Sequence, residues 1–573
     1  MAAPAKTPGE VEKCHCLLRG LAKSLADRLW GAQGPAWGTP FSELERLAAR
    51  LGGAVQKELL DLALRRQASR FLADPPAELC RCPGCGRDTL ERDPEPRLVA
   101  SLAGDAEWLE PARYCPRCRK AFFPRSRGLG IDHGHYSCAL LELIAYSGAN
   151  NPSFREASQN LGKVGRVPVH EKQVERLTRR VGGERLVERD EQLERFLRLP
   201  LLERCAGAPE GVVPPGPEQV AVVMADAGML QLRDSASGPD EAGAAAAGRA
   251  DGADRGQPDG PDDEDPDQDK PPPGRHWHED KVAVVLTMRS TVSPRDPCPQ
   301  IPASFVDPDR VARLVRGLKK SAPLKEEDQQ PADEAAEETA DGPDTAEYEG
   351  PKVEHRRVVA SRRSWPQFGP LLAATAWLAG FNKAARKAFV ADGARAIWRV
   401  WRTRFSSYVP VLDFIHALSY VYAAAKAMGQ DAAAGWQLYA RLIGLVWQGE
   451  VSEVIEVLQR WLKEHGAPEK AEAEGSPRRV VARTLGYLKN NKGRMKYAEY
   501  RKQGLPIVSS LVESMVKQIS RRVKGTEKFW TDQGAEAVLQ LRADYLSDGD
   551  VMAGFWQRRQ AAATGQRHYR SAP

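Results

Sequence analysis

Three carboxylates and four thiols are the side chains in this chain best placed to hold metal ions. The stretch GLPIVSSLVESMVKQISRRVKGTEKFW, residues 504–530, has a helix whose acid, Glu513, sits among cations. Lys517 and Lys524 lie four and eleven positions further on, so at a helical period of 3.6 they share roughly its face. A carboxylate on a basic face suits a helix that grips a metal with one side chain and a phosphate backbone with its neighbours. Upstream, Asp226 and Asp392 each end an apolar strand-like run, and each precedes a glycine within two residues. The end of a buried strand is a costly place for an unpaired charge, which sets these two apart from the other acids. Magnesium takes one or two carboxylates and keeps its other positions for water and phosphate oxygens. Two such ions about 4 Å apart activate an attacking oxygen and stabilise a leaving one. The triad therefore predicts a site for two Mg²⁺ or Mn²⁺ ions that cuts and joins DNA. Asp413 and His416, in VLDFIHAL, read either as a pair supporting those metals or as a simple helix cap.

The thiols come as CRCPGC at 80–85 and CPRC at 115–118, with RLVASLA, EWLEPARYC and KAFFP as short strands. Two tight Cys-x-x-Cys knuckles joined by a hairpin have the spacing of a zinc ribbon, each knuckle presenting two thiolates to one ion. Cys82, Cys85, Cys115 and Cys118 are the expected Zn²⁺ ligands, with Cys80 as a substitute. All four positions are filled, so this zinc is structural. Cys14-His15-Cys16 is a weak metal signal and reads as incidental.

The elements that must position these groups follow from the rest of the chain. At 573 residues several domains are expected. A net charge of +6 hides a strong asymmetry, because the acids crowd two low-complexity segments and leave the remainder basic. A basic folded part favours a polyanionic partner. The segment MAAPAKTPGEVEK lacks the charged and apolar regions of a signal peptide, and no run of 18 apolar residues offers a membrane span. Paired Cys-x-x-Cys knuckles fit a reducing compartment. A cytoplasmic, nucleoid-associated protein is expected.

Helical periodicity over 17–72 predicts two helices split by GAQGPAWGTP, in a helical region 1–75. A zinc ribbon at 76–130 is followed by a helix-turn-helix at 131–200. There SCALLELIAYSG is one helix, Ser153 with Glu156 caps a second, and EKQVERLTRRVGG is a third. Its inner stripe is Val174, Leu177 and Val181. Its outer face presents Lys172, Gln173, Arg176, Arg179 and Arg180, residue types that contact phosphates and base edges. A helical bundle with a solvated cationic face is the bland alternative. A separate helix, ERLVERDEQLERFLR, then leads to a PPGP linker.

Residues 212–546 read as a catalytic domain, with disordered acidic insertions at about 234–275 and 321–350 and a helical insertion at 430–503. Three strands, a helix, a strand, a helix, a strand and a helix form the order of a ribonuclease-H-like α/β fold. In that fold the first and fourth strands lie side by side, so acids 166 residues apart meet. A basic, poorly ordered tail covers 547–573.

These pieces resemble DDE transposases of bacterial insertion sequences, closest to the ISKra type and more distantly the Mutator-like group. The resemblance spans most of the chain. It is carried by VADGARAIWRVWRTRF with VLDFIHA, by NNKGRMKYAEYRKQGLPIVSSLVES, and by RVKGTEKFWTDQGAEAVLQLRA. It implies that Asp226, Asp392 and Glu513 bind two divalent ions, and that Asp413 and His416 assist nearby. It differs at Val508-Ser509-Ser510, where Gly-Ser-Gly is usual, and at Ala227, where a glycine is usual. The expected function is binding of terminal inverted repeats, then strand cleavage and strand transfer on double-stranded DNA by a dimer or larger assembly. Lys517, Arg521, Arg522 and Lys524 would hold phosphates. An inactive transposase serving as a DNA-binding regulator, and a stand-alone ribonuclease-H-like nuclease, are the other readings.

Overall fold

The architecture is described from a computed structural model over residues 8–131, 134–233, 277–321, 349–469, 471–525 and 527–566. Two compact units are present, one formed by residues 1–140 with 559–573 and the other by 141–558. The acidic segments expected at about 234–275 and 321–350 fall almost wholly outside the described residues.

In the first unit, helices Pro8–Trp30 and Phe41–Ala73 match the two expected around GAQGPAWGTP. Three antiparallel strands follow, β1 (Leu90–Ser101), β2 (Gly104–Cys115) and β3 (Lys120–Phe122), in that spatial order. The turn closes where Gly104, at φ +102°, pairs with Ser101. β1 and β2 are longer than the short strands read from the sequence. Glu110, fully buried, is satisfied by Trp108 Nε1 at 2.5 Å, Ser126 N at 2.8 Å and Ser126 Oγ at 3.1 Å. A buried carboxylate with three donors stiffens a small sheet that has few apolar residues to bury.

The second unit is built on a mixed sheet. Its strands are β4 (Gln219–Leu232), β5 (Trp277–Arg289), β6 (Lys352–Ser361), β7 (Lys387–Ala391), β8 (Val409–Leu412) and β9 (Phe529–Trp530). The order is β6-β5-β4-β7-β8, with β9 added beside β4. β4, β5 and β6 are antiparallel, whereas β7 and β8 run parallel to β4 after helical crossovers. Helices cover both faces, which is why central strands such as VAVVMA read as continuous apolar runs. Val220, Val222, Val223, Val284, Phe389 and Val390 are all fully buried. Segment 430–503 is helical as expected, with Ala432–Gln448, Val451–His465, Pro477–Asn491 and Tyr497–Lys502.

Four expectations are corrected. β4 does not end at Asp226 but runs on to Leu232, because β5 continues to pair with it to Gln231 and β9 then adds alongside. The helices expected on either side of Gly182-Gly183 are one helix, Glu171–Arg198. A Cβ at Gly182 would lie 2.5 Å from the Ala537 carbonyl oxygen, so the pair marks a close crossing with helix Asp532–Leu546, not a stop. The tail is not featureless, since Val551–Ala561 is helical; residues 567–573 lie outside the described ones. Lys524 caps the helix Ser510–Val523 from outside, so it does not continue the helical face of Glu513. Among the described residues no helix is long and apolar enough to cross a membrane.

Candidate active site

The register of two neighbouring strands sets the site. Ala225 of β4 pairs with Ala391 of β7, so the next residues, Asp226 within β4 and Asp392 just past the end of β7, are neighbours across the two parallel strands. Asp226 accepts one hydrogen bond from Ala227 N at 2.7 Å, and Asp392 accepts one from Ala394 N at 2.9 Å. Both are half-buried. Burial, the neighbouring Asp392 and, more weakly, Glu513 push Asp226 up to about 7. Burial likewise raises Asp392.

Glu513 comes from the first turn of helix Ser510–Val523, which packs across β4 and β5. The turn before it depends on Gly504, at φ +62°, where a Cβ would meet the Thr291 carbonyl oxygen at 2.4 Å. Burial and the Asp413 charge raise Glu513, while His416 and Lys517 pull the other way.

Asp413 is the joint of the site. Its Oδ1 accepts from Ile415 N at 2.5 Å and His416 N at 3.0 Å, capping helix Phe414–Met428. Its Oδ2 accepts from Ser509 N at 2.6 Å and from Ser509 Oγ, at the threshold of the glutamate helix. Burial alone would raise Asp413, but His416, Ser509 and the backbone donors hold it below its ordinary value. The cap read from the sequence is present, and the same carboxylate also lies at ion-pair distance from His416. Nδ1 of His416 lies 3.7 Å from Asp413 Oδ1, an ion-pair distance and too long for a hydrogen bond. Burial lowers His416, yet Asp413, Asp392 and Glu513 together raise it to about 9.

Ligand atoms of Asp413, His416 and Glu513 lie within 4.8 Å of one another. Chemistry argues against that trio as a metal cage. Both oxygens of Asp413 are already taken by donors. The acids with capacity to spare are Asp226, Asp392 and Glu513, whose charges are only partly offset. Half-buried acids raised by burial and by neighbouring carboxylates are the donor set a hard divalent cation neutralises.

The thiols converge as well. Cys82 Sγ lies 3.8 Å from Cys118 Sγ, Cys85 Sγ lies 3.6 Å from Cys115 Sγ, and all four sulfurs are within 4.8 Å of one another. A tetrahedron with metal–sulfur bonds of about 2.3 Å has edges of about 3.8 Å. Cys80 is outside this cluster. Arg119, at φ +53°, turns the second knuckle back. Cys14-His15-Cys16 falls within a helix, and His15 and Cys16 are exposed.

No protein-family model matches this chain, and no curated protein matches it.

The expected phosphate contacts divide by exposure. Lys172, Arg176, Lys517, Arg521 and Lys524 are exposed. Gln173 accepts from Arg176 at 2.6 Å, Arg179 pairs with Glu175 at 2.7 Å, and Arg180 lies 3.6 Å from Glu184. Arg522 is a correction. It is 2 % exposed and donates to the carbonyls of Gly148 at 2.9 Å and Pro152 at 3.4 Å. Its guanidinium lies over Phe154 and Trp530, at 4.3 and 5.1 Å from the ring centroids. It pins a helix end and has no surface to offer a phosphate. Two residues that sequence reasoning missed border the acids: Tyr487, packed against Gly393, and Ser509, which links Asp413 to the glutamate helix. Tyr487 carries no motif that singles it out, and Ser509 stood in the sequence only as part of the Val508-Ser509-Ser510 turn, with no role assigned.

Proposed function

We propose that this chain is a DDE-type transposase, with a ribonuclease-H-like catalytic domain at 212–546, a zinc ribbon at 76–130 and a helix-turn-helix at 131–200. The observation that supports the reading is the parallel register of β4 and β7 in a β6-β5-β4-β7-β8 sheet, which sets Asp226 beside Asp392, with Glu513 on a neighbouring helix near enough for its charge to raise Asp226. Two divalent ions held there, Mg²⁺ or Mn²⁺, would activate the attacking oxygen and stabilise the leaving oxygen of a phosphodiester.

The chain's own residues have distinct tasks in this reading. Asp226 and Asp392 offer carboxylates from fixed strands, so their spacing is set by the sheet. Glu513 comes from a helix whose entry is tied down by Asp413 through Ser509. His416 balances part of the negative charge. Lys517, whose charge acts on Glu513, together with the exposed Arg521 and Lys524 further along, would hold the DNA backbone, giving binding that weakens steeply with salt. Lys172 and Arg176, with Gln173, Arg179 and Arg180 beside them, would read the element's terminal repeats. Zn²⁺ on Cys82, Cys85, Cys115 and Cys118 would brace the small sheet of the first unit. Joining two element ends calls for at least a dimer.

The test is incubation with Mg²⁺ and DNA carrying candidate element ends. Wild type is expected to cut, and Glu513→Gln to bind equally well while losing cleavage by at least about a hundredfold. Unchanged cutting by the variant would remove Glu513 from the chemistry. Binding without cutting by wild type would leave a DNA-binding regulator.

A further inference from the structure

The helical segment between the second aspartate and the glutamate contributes one residue to the acid cluster. Tyr487 lies on helix Pro477–Asn491, and its ring packs on the residue that follows Asp392. A Cβ at Gly393 would sit 2.3 Å from Tyr487 Cε2, so only glycine admits the ring there. The ring is fixed from its other side by Tyr420, stacked at a centroid distance of 3.8 Å and an interplanar angle of 10°. Tyr420 is one helical turn beyond His416 on helix Phe414–Met428, so the stack rises from the element that Asp413 caps. Thr484 Oγ1 donates to the Tyr420 carbonyl at 3.2 Å, which ties the two helices together.

The hydroxyl of Tyr487 is buried and has no hydrogen-bond partner. Buried tyrosine hydroxyls are normally paired, and an unpaired one in an otherwise packed place calls for a function. Burial raises its pKa well above the usual range, and Asp392 is the charge acting on it most, followed by Tyr420 and Asp413. Asp413 cannot receive its proton, since both its oxygens already accept from backbone or Ser509 donors. Asp392 can, because Ala394 N engages only Oδ1. Carboxylates that ligate a metal are themselves held by a further donor, and such donors matter nearly as much as the ligands.

We propose that Tyr487 is a positioning residue of the metal site: its phenol O–H, unpartnered beside Gly393, would donate to the Asp392 carboxylate once that acid takes an ion and would fix the oxygen that faces it. This rests on the two-metal reading of Asp226, Asp392 and Glu513. It also assigns a task to the helical segment 430–503: one of its helices brings the donor to the acids.

The experiment measures Mn²⁺ binding to the full chain by calorimetry, with the four-cysteine site kept zinc-loaded, for wild type, Tyr487→Phe and Asp392→Asn. Phenylalanine keeps the ring on Gly393 and Tyr420 and removes only the hydroxyl. Tyr487→Phe is expected to weaken Mn²⁺ binding by about tenfold or more, with the metal-free melting temperature unchanged. Asp392→Asn is expected to abolish the same binding, which identifies the site. Equal Mn²⁺ affinity in wild type and Tyr487→Phe would overturn the assignment and leave the two-metal reading standing. A wild-type chain that binds no Mn²⁺, or binds it equally after Asp392→Asn, would overturn both. A Tyr487→Phe chain that melts several degrees lower with unaltered affinity would show a packing role alone and overturn the assignment too.

Discussion

At the scale of single residues, Asp280 shows what an unpaired charge inside this sheet does. It stands on β5 opposite Gly228, is 1 % exposed, and neither carboxylate oxygen has a hydrogen-bond partner. Burial pushes it up to about 6, with Glu279 adding to the shift and its own amide, Lys281 and Arg362 opposing it. The folded chain thus holds a proton that the unfolded chain releases near its ordinary value of 3.8. The stability tied to that proton is present at low pH and fades as pH rises through the window between about 4 and 6. Asp280→Asn is therefore expected to gain on wild type by about 2 kcal/mol between pH 4.5 and 8. Melting curves at the two pH values check this; a gap between the proteins that stays constant with pH would refute it. Arg522 is the opposite case, a buried cation made tolerable by two carbonyls and two aromatic faces.

At the scale of elements, the crossing of helices Glu171–Arg198 and Asp532–Leu546 turns on two adjacent glycines that behave differently. Gly182 lies against the Ala537 backbone, whereas a Cβ at Gly183 meets nothing within 4 Å. Around the crossing Arg185 pairs with Asp544 at 3.1 Å, and Arg189 with Glu536 at 2.9 Å, all well buried. Gly182→Ala should force the helices apart and cost about 1–3 kcal/mol. Gly183→Ala should stabilise by about 1 kcal/mol, because alanine is the better helix former and nothing opposes it. Denaturant titration of the two variants tests the crossing; shifts of the same sign would show that it is misplaced. This element was half legible: Val174, Leu177 and Val181 are its buried stripe as periodicity predicted, but Gly-Gly read as a stop.

At the scale of the whole molecule, the two units rest on different kinds of glue. The second buries a large apolar core across its mixed sheet. The first has a short sheet, and no residue of helix Phe41–Ala73 is buried, so its four clustered thiols matter more. We expect about one zinc per chain by mass spectrometry, lost in the Cys82→Ser, Cys115→Ser double variant. Chelation should make the segment around β1–β3 sensitive to protease while the sheet of the second unit persists. Undiminished zinc in the double variant would refute the ligand assignment.

Local chemistry alone made much of this protein readable. Cysteine spacing brought out the four-thiol cluster, apolar runs located the strands, and the Ser153–Glu156 cap and helical periods located the helices. These are signals between neighbours in sequence, and they act before any tertiary contact forms. The tertiary structure decided the rest. Pairing with β5 and β9 carried β4 past Asp226, and packing from remote helices sealed Arg522 and closed Gly182 onto Ala537. It also laid Tyr487 on Gly393, nearly a hundred residues away. Burial and register are properties of elements that meet only in the folded chain, and no single stretch of residues encodes them.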